Sequence, residues 1–250
     1  MSSRVTLTLL MAFGLASGTA AAETCSYEAD AIGTLVAVVA QLESGEKEDV
    51  VSHRPTSAGM QSVYDANAVR AEEWLPRLSG SQASDLELFL NNWKANKAKY
   101  ERVAAAADLP AELVAAIHWR ESTADFSTYL HQGDPLGRPA VNWPTNIPVF
   151  HNWEDAAIHA LKSKDYVADA LSLDASTEEL AALTTYAEYY NGLGYSYRDK
   201  PSPYVWAGTD QYKRGKFVAD GRYNGWTKDS QLGVTIMIQG IRDLEQAPQS

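Results

Sequence analysis

The stretch Leu109-Pro-Ala-Glu-Leu-Val-Ala-Ala-Ile-His-Trp-Arg-Glu-Ser122 decides how this chain is read. It has the pattern of a short apolar helix that ends on a carboxylate. Pro110 suits the first helical position, where its missing N–H would find no partner in any case. At roughly 100° per residue, Glu121 lies about 20° from Val114 and about 40° from Ile117 around the helix axis. The acid therefore falls on the stripe expected to face the core, where an ionised carboxylate is costly to bury. A carboxyl in apolar surroundings keeps its proton to higher pH, which suits a general acid working near neutrality. The alternative from this segment alone is a partly exposed Glu at a frayed helix end, paired with Arg120. Perturbed acids also occur in purely structural ion pairs.

The N-terminus points to export. Arg4 is followed by the apolar run Val5–Leu15, and Ala20-Ala-Ala22 offers a small-residue cleavage site. This is the pattern of a secretory signal peptide over 1–22, cleaved after Ala22 and too short to span a membrane. A secreted or periplasmic protein starting at Glu23 is expected. Glu23-Thr24 ahead of Cys25 does not suit a lipidation signal. Cys25 is the only cysteine, so no intramolecular disulfide is possible. About 228 residues then remain to build a core, enough for one large domain or one domain with an extension. No second apolar stretch approaches the length of a membrane span. The formal charge of −11 argues against a nucleic-acid surface and against a long polyanionic partner.

Outward from the central stretch, apolar spacing predicts helices over 26–44, over 60–76, and from Ser81 or Ser84 to Ala107. Leu86, Leu88, Leu90, Trp93, Tyr100 and Val103 are the candidate inward residues of the last of these. Residues 122–152 carry Gly133, Pro135, Gly137, Pro139, Pro144 and Pro148 and read as a loop or short hairpin. A helix capped by Asn152 is expected to run through Ala156, Ala157, Leu161 and Tyr166 to Leu171. Ser176-Thr-Glu-Glu179 has the form of a helix start leading to Asn191. Residues 192–229 are irregular and aromatic-rich, with Asp220-Gly221 a turn, and a final helix spans about 229–246. The expected fold is all-α, with a helical region over 23–108 and a second domain over 109–250. Long loops in a compact domain are usually functional or disordered, and the aromatic content here argues against disorder.

Three clusters carry the candidate chemistry. The first is His118-Trp-Arg-Glu-Ser122. The second is Phe126-Ser-Thr-Tyr-Leu-His-Gln-Gly-Asp-Pro-Leu-Gly137. The third is Tyr189-Tyr-Asn-Gly-Leu-Gly194, followed by Ser202-Pro-Tyr-Val-Trp-Ala-Gly-Thr-Asp-Gln-Tyr212. Tyrosine and tryptophan in irregular backbone present apolar faces with a polar edge, which suits sugar rings. The same rings equally serve to pin a loop to its own core.

An apolar helix ending in Glu-Ser, then a helix ending in Tyr-Asn-Gly, resembles the lysozyme-like superfamily of lytic transglycosylases and goose-type lysozymes. The strings Tyr129–Gly137 and Ser202–Thr209 are also similar to segments of lysozyme-like proteins, and the likeness covers about 109–225. It implies that Glu121 is the catalytic acid and that Tyr190 and Asn191 line the sugar cleft. Tyr129, His131, Tyr204, Trp206 and Tyr212 are then candidate substrate-binding residues. The expected activity is cleavage of the β-1,4 bond in peptidoglycan or a related amino-sugar polymer. The chain departs from the pattern in lacking the Gly-Leu-Met-Gln segment that usually follows the acid in such transglycosylases.

The loop in its place carries Asp134, the candidate second carboxylate that would position water, as in inverting glycosidases; Asp125 stands behind it. Against that role, Gly-Asp-Pro is turn chemistry. Without Asp134 a one-acid route remains, in which the substrate's acetamido group assists and anhydro-sugars result. Glu188, one turn before Asn191, either supports that residue by a hydrogen bond or faces solvent. No metal and no cofactor are expected: His118 and His131 are far apart, no His-x-x-x-His pair occurs, and Cys25 is isolated. No Gly-x-Ser-x-Gly elbow marks a serine nucleophile. Two competing readings stay open, a glycan-binding module without turnover and a chitosanase-like hydrolase, whose cationic substrate would match the acidic charge.

Overall fold

In the computed structural model, which describes residues 57–219 and 221–247, the stretch ending at Glu121 is a helix buried nearly all round. The expected signal peptide, Cys25 and the helix over 26–44 lie outside the described residues. The chain is mostly helical. Helices α1 (Ala58–Glu73), α2 (Gly80–Ala107) and α3 (Ala111–Ser122) come first, then α4 (Trp153–Lys162), α5 (Asp165–Leu171) and α6 (Leu180–Asn191). A 3-10 turn at Ser196–Arg198 leads to α7 (Pro203–Trp206) and to an antiparallel pair, β1 (Lys216–Ala219) and β2 (Arg222–Asn224). Helix α8 (Val234–Gln246) closes the order.

Every residue from Leu113 to Trp119 is buried. A surface helix hides one stripe; a helix buried around its whole circumference is the pillar against which others pack. Helix α3 touches α2, α6 and α8. Ile117, Leu113 and Val114 join one core with Phe89, Trp93, Tyr100, Val103, Leu183, Tyr186, Trp206, Met237 and Ile238. Residues of α1 and α2 belong to that same core.

Local chemistry explains where the elements begin and end. Helix α2 starts earlier than expected, because Ser79 and Gln82 form a reciprocal capping box. Its expected inward residue Leu88 is 60% exposed. Two residues from Leu86 is about 200° of rotation, so Leu88 points away while Phe89, completely buried, takes its place. Pro110 sits at the N-cap of α3 rather than inside it. Asn152 caps α4 as expected, accepting from Asp155 N at 2.9 Å. The expected single helix to Leu171 breaks after Lys162, where Ser163 Oγ donates back to Ala160 O at 2.6 Å and so competes with the ladder. Tyr166, beyond the break, is exposed.

Ser176 does not open α6. Its N–H and hydroxyl both donate to Asp174 Oδ1, at 2.8 and 2.7 Å, making a separate turn. Helix α8 starts later than expected because Asp229 and Gly233 have other partners: Gly233 N donates to Ala207 O at 2.8 Å. The hairpin also lies elsewhere. Residues 122–152 hold only an isolated bridge between Thr128 and Pro135, whereas the true ladder is β1–β2 within the second irregular segment. Asp220 of the expected turn lies outside the described residues. No helix among the described residues is long and apolar enough to cross a membrane.

Truncating the pillar and truncating the misplaced leucine have opposite expected outcomes. Ile117→Ala should cost about 2–5 kcal/mol, because its void is walled by packed helices on all sides. Leu88→Ala should stay within about 0.5 kcal/mol. Urea unfolding midpoints of the two variants check both.

Candidate active site

Glu121 occupies the last turn of α3, and the chain turns sharply after it. Thr123 and Ala124 both adopt left-handed backbone, with φ of 54° and 59°. Two consecutive non-glycine residues there are uncommon, and for a β-branched Thr the conformation is strained. The turn persists because Thr123 N and Ala124 N satisfy the helix-end carbonyls of Trp119 and His118. It delivers the chain into the 125–142 loop, which folds back so that Gly133 lies against the Glu121 carbonyl. Gly133 has φ of 79°, suited to glycine.

Three elements meet the carboxyl group. Tyr204 of α7 donates its hydroxyl to Glu121 Oε1 at 2.8 Å. Tyr190 of α6 is close enough to interact electrostatically with it, while its hydroxyl donates to Leu130 O at 3.0 Å. Arg120 stacks over the Tyr204 ring with its guanidinium 4.8 Å from the centroid. Burial pushes the Glu121 carboxyl from 4.5 up to about 7, against the opposing pull of the Tyr204 hydrogen bond and the Arg120 charge. Both tyrosine hydroxyls are held well above their ordinary range, first by burial and then by Glu121, so they remain donors.

A cleft of about 610 Å³ opens at Arg120 and Tyr204, the neighbour and the hydrogen-bond partner of this acid. Its floor carries Arg120 and Tyr204; one wall is the chain from Asn191 to Tyr195, the other is β1. Gly192 ends α6 with φ of 105°, which explains the glycine of Tyr-Asn-Gly and turns Asn191 to the cleft edge. Phe217 N donates to Tyr195 Oη at 3.0 Å, tying the two walls together. Asp229 lies between Arg120 NH2 and Lys216 Nζ, each 3.2 Å away. Burial would raise its pKa, but Arg120, the Gln231 N–H and Lys216 outweigh burial and keep it below the usual range. Arg120 also donates to Leu232 O at 3.0 Å.

Of the residues the sequence singled out, the structure brings Glu121, Tyr190, Asn191 and Tyr204 to one place. The others have different work. Asp134 is not aimed at a substrate: its carboxylate accepts from Val141 N, Asn142 N, Asn142 Nδ2 and Gln132 Nε2, at 2.6–3.3 Å. These donors, the Asn142 N–H foremost, hold its pKa below the ordinary value. Asp125 is likewise spent, on the Ser127 N–H and hydroxyl. Tyr129 is fully buried and clamps its loop by donating to Arg138 O and accepting from Phe150 N. Trp206 is fully buried and donates to Asn67 Oδ1. Tyr212 is buried between Gly215 O and Asp229 N. In the fold these three act as internal supports, each ring's polar atom partnered within the protein.

His131 faces His159, ring nitrogens 2.9 Å apart, and stacks near Phe150. Burial lowers its pKa to about 4. His118 is buried among Tyr100, Phe126 and Trp153, and burial lowers its pKa to about 3, so it stays neutral. Glu188 neither faces solvent nor reaches Asn191: it is buried, accepting from Ser196 Oγ and from Asn67 Nδ2. Sequence reading missed Asp229 and Lys216. The only trace of them was a basic run around Lys213-Arg-Gly-Lys216. Among the described residues, no group of three or more His, Cys, Asp or Glu is placed to hold a metal. Compared with known proteins, the chain matches no family model, no curated protein and no solved structure.

Removing the Tyr204 hydroxyl tests the electrostatics. That hydrogen bond favours the charged carboxylate, so Tyr204→Phe should raise the Glu121 pKa further above 7. Carboxyl-¹³C NMR titration of the labelled protein reads the shift; an unchanged or lowered midpoint contradicts the arrangement.

Proposed function

We propose that the chain is an exported glycosidase that cleaves the β-1,4 bond between amino sugars in peptidoglycan, with Glu121 as general acid on a lysozyme-like fold. The observation that carries this is a carboxyl held near pKa 7 by burial and bonded to Tyr204, which lines an open cleft together with Arg120 and with Asn191 at the end of α6. A carboxyl so placed holds its proton near neutrality yet surrenders it readily once the leaving oxygen gains charge. Glu121 protonates the glycosidic oxygen as the bond to C1 breaks, and the carboxylate left behind then acts as base.

The geometry favours one acid over two. Asp134 is saturated by four donors, and Asp229, a carboxylate lining the cleft, is locked between two cations. Neither is free to position water. The substrate's own acetamido oxygen then shields C1 until its C6 hydroxyl closes on it, passing its proton to Glu121. The products end in anhydro-sugars, one water lighter than hydrolysis products.

Glu121→Gln keeps the shape and removes the proton. Turnover of purified peptidoglycan should fall by about 10²–10⁴, while Asp134→Asn retains most of it. Mass spectrometry of the products should show the loss of one water; reducing-end products would restore the two-carboxylate mechanism. Binding of glycan without turnover by the unaltered protein would point to a glycan-binding module instead. In the unaltered enzyme, activity should fall as pH rises through about 7, as the acid ionises.

Stability should move the other way. Folding raises this pKa from 4.5 to about 7, so the native state holds the proton more tightly than the unfolded chain. Below pH 4.5 both states are protonated and nothing is lost. Between 4.5 and 7 stability declines as pH rises, and above 7 the penalty is constant. Glu121→Gln removes it and should stabilise the chain by about 3 kcal/mol above pH 7, with the gain vanishing near pH 4. Denaturant midpoints across that range check the sign.

A further inference from the structure

The chain is acidic, yet the wall of its cleft is not. Residues 198–228 contain seven Lys and Arg against three Asp, within a chain of net charge −11. Of these cations Lys216 lines the cleft, where it faces Asp229. Arg198 lies over the Phe217 and Tyr223 rings, 5.6 and 5.1 Å from their centroids. At the cleft itself, two cations share one anion: Arg120 and Lys216 both bond Asp229. Arg120 and Asp229 have side chains only 7% and 1% exposed, whereas that of Lys216 is 35% exposed and lines the opening. The Arg120–Asp229 pair therefore neutralises itself inside the protein. Lys216 contributes the uncompensated charge, fixed in place through one of its three N–H bonds with the others left for a ligand.

On this footing, which rests on the glycosidase reading above, we propose that Lys216 is a specificity-determining residue that captures a carboxylate on the glycan. Substrates bearing acidic substituents are thereby selected over neutral or cationic amino-sugar polymers. Low-dielectric walls strengthen such a contact relative to open water. The Asp229 tether means that little side-chain entropy is lost when it forms. The placement also reverses the expectation drawn from overall charge. A net-acidic chain repels polyanions at a distance, but its cleft meets them with a cation.

The test is calorimetric binding to the full chain in the Glu121→Gln background, so that bound sugar is not consumed. The two probes are an oligosaccharide alternating N-acetylglucosamine with N-acetylmuramic acid, its lactyl carboxylates free, and a neutral chito-oligosaccharide of equal length. Lys216→Met should weaken the acidic probe about tenfold or more and leave the neutral probe within twofold, with Lys216→Arg restoring most of the loss. Equal loss on both probes, no loss on either, or no preference for the acidic probe in the parent overturns the proposal. So does absence of binding to both. Cleavage by the Glu121-containing chain is scored separately. Turnover of both glycans at similar rates overturns carboxylate selection while leaving the glycosidase reading intact. Selective binding without turnover supports carboxylate capture and removes the glycosidase.

Discussion

Desolvation of one carboxyl group is the constraint around which this molecule is arranged. Helix α3 is buried all round from Leu113 to Trp119 and only partly buried in its last turn. Glu121, two residues beyond that buried run, is desolvated enough to hold its proton. The cost is limited by a single hydroxyl, that of Tyr204, and by the adjacent Arg120. A full complement of donors would pull the carboxyl down, as at Asp134, which its donors hold below the ordinary range. Two acids thirteen residues apart in sequence thus end at opposite extremes, and the number of donors facing each explains why.

The supports of the site reach deep into the fold. Asn67 of α1 bonds Trp206 of α7, and also Thr185 and Glu188 of α6. Glu188 in turn holds Ser196, beyond the Asn191–Tyr195 wall of the cleft. A satisfied polar network of this kind fixes geometry that apolar packing alone leaves loose. It also gives α1 a purpose beyond filling the core, because it braces two elements that contact the acid or its cleft.

Much of the architecture was legible from local signals. The apolar run Leu113–Trp119 and the Asn152 cap are properties of adjacent residues, and the structure agrees with them. For Glu121 the helical angle left two readings, an acid on the core stripe and a partly exposed helix end. What the chain hid were partnerships across long separations: Tyr204 with Glu121, 83 residues apart, and Arg120 with Asp229, 109 apart. Aromatic rings in irregular backbone were ambiguous for a physical reason. The amphipathic character that suits Tyr129, Trp206 and Tyr212 to a sugar suits them equally to a buried carbonyl, amide or N–H. Only the tertiary neighbours choose. Charge misled in the same way, since a net value carries no information on where the cations gather.

One clamp has a consequence for how such a molecule diversifies. The Tyr129 hydroxyl grips both Arg138 and Phe150, and Gly137 N bonds Phe150 O at 2.7 Å. The intervening segment is thus closed at its base by groups that lie outside it. Chain closure entropy grows only slowly with length, by about 0.6 kcal/mol per doubling. Asp134 pins Val141 and Asn142, so the part left exchangeable is 143–149, with Trp143 almost fully exposed on it. It can lengthen, shorten or change composition while the acid, its helix and its cleft stay as they are.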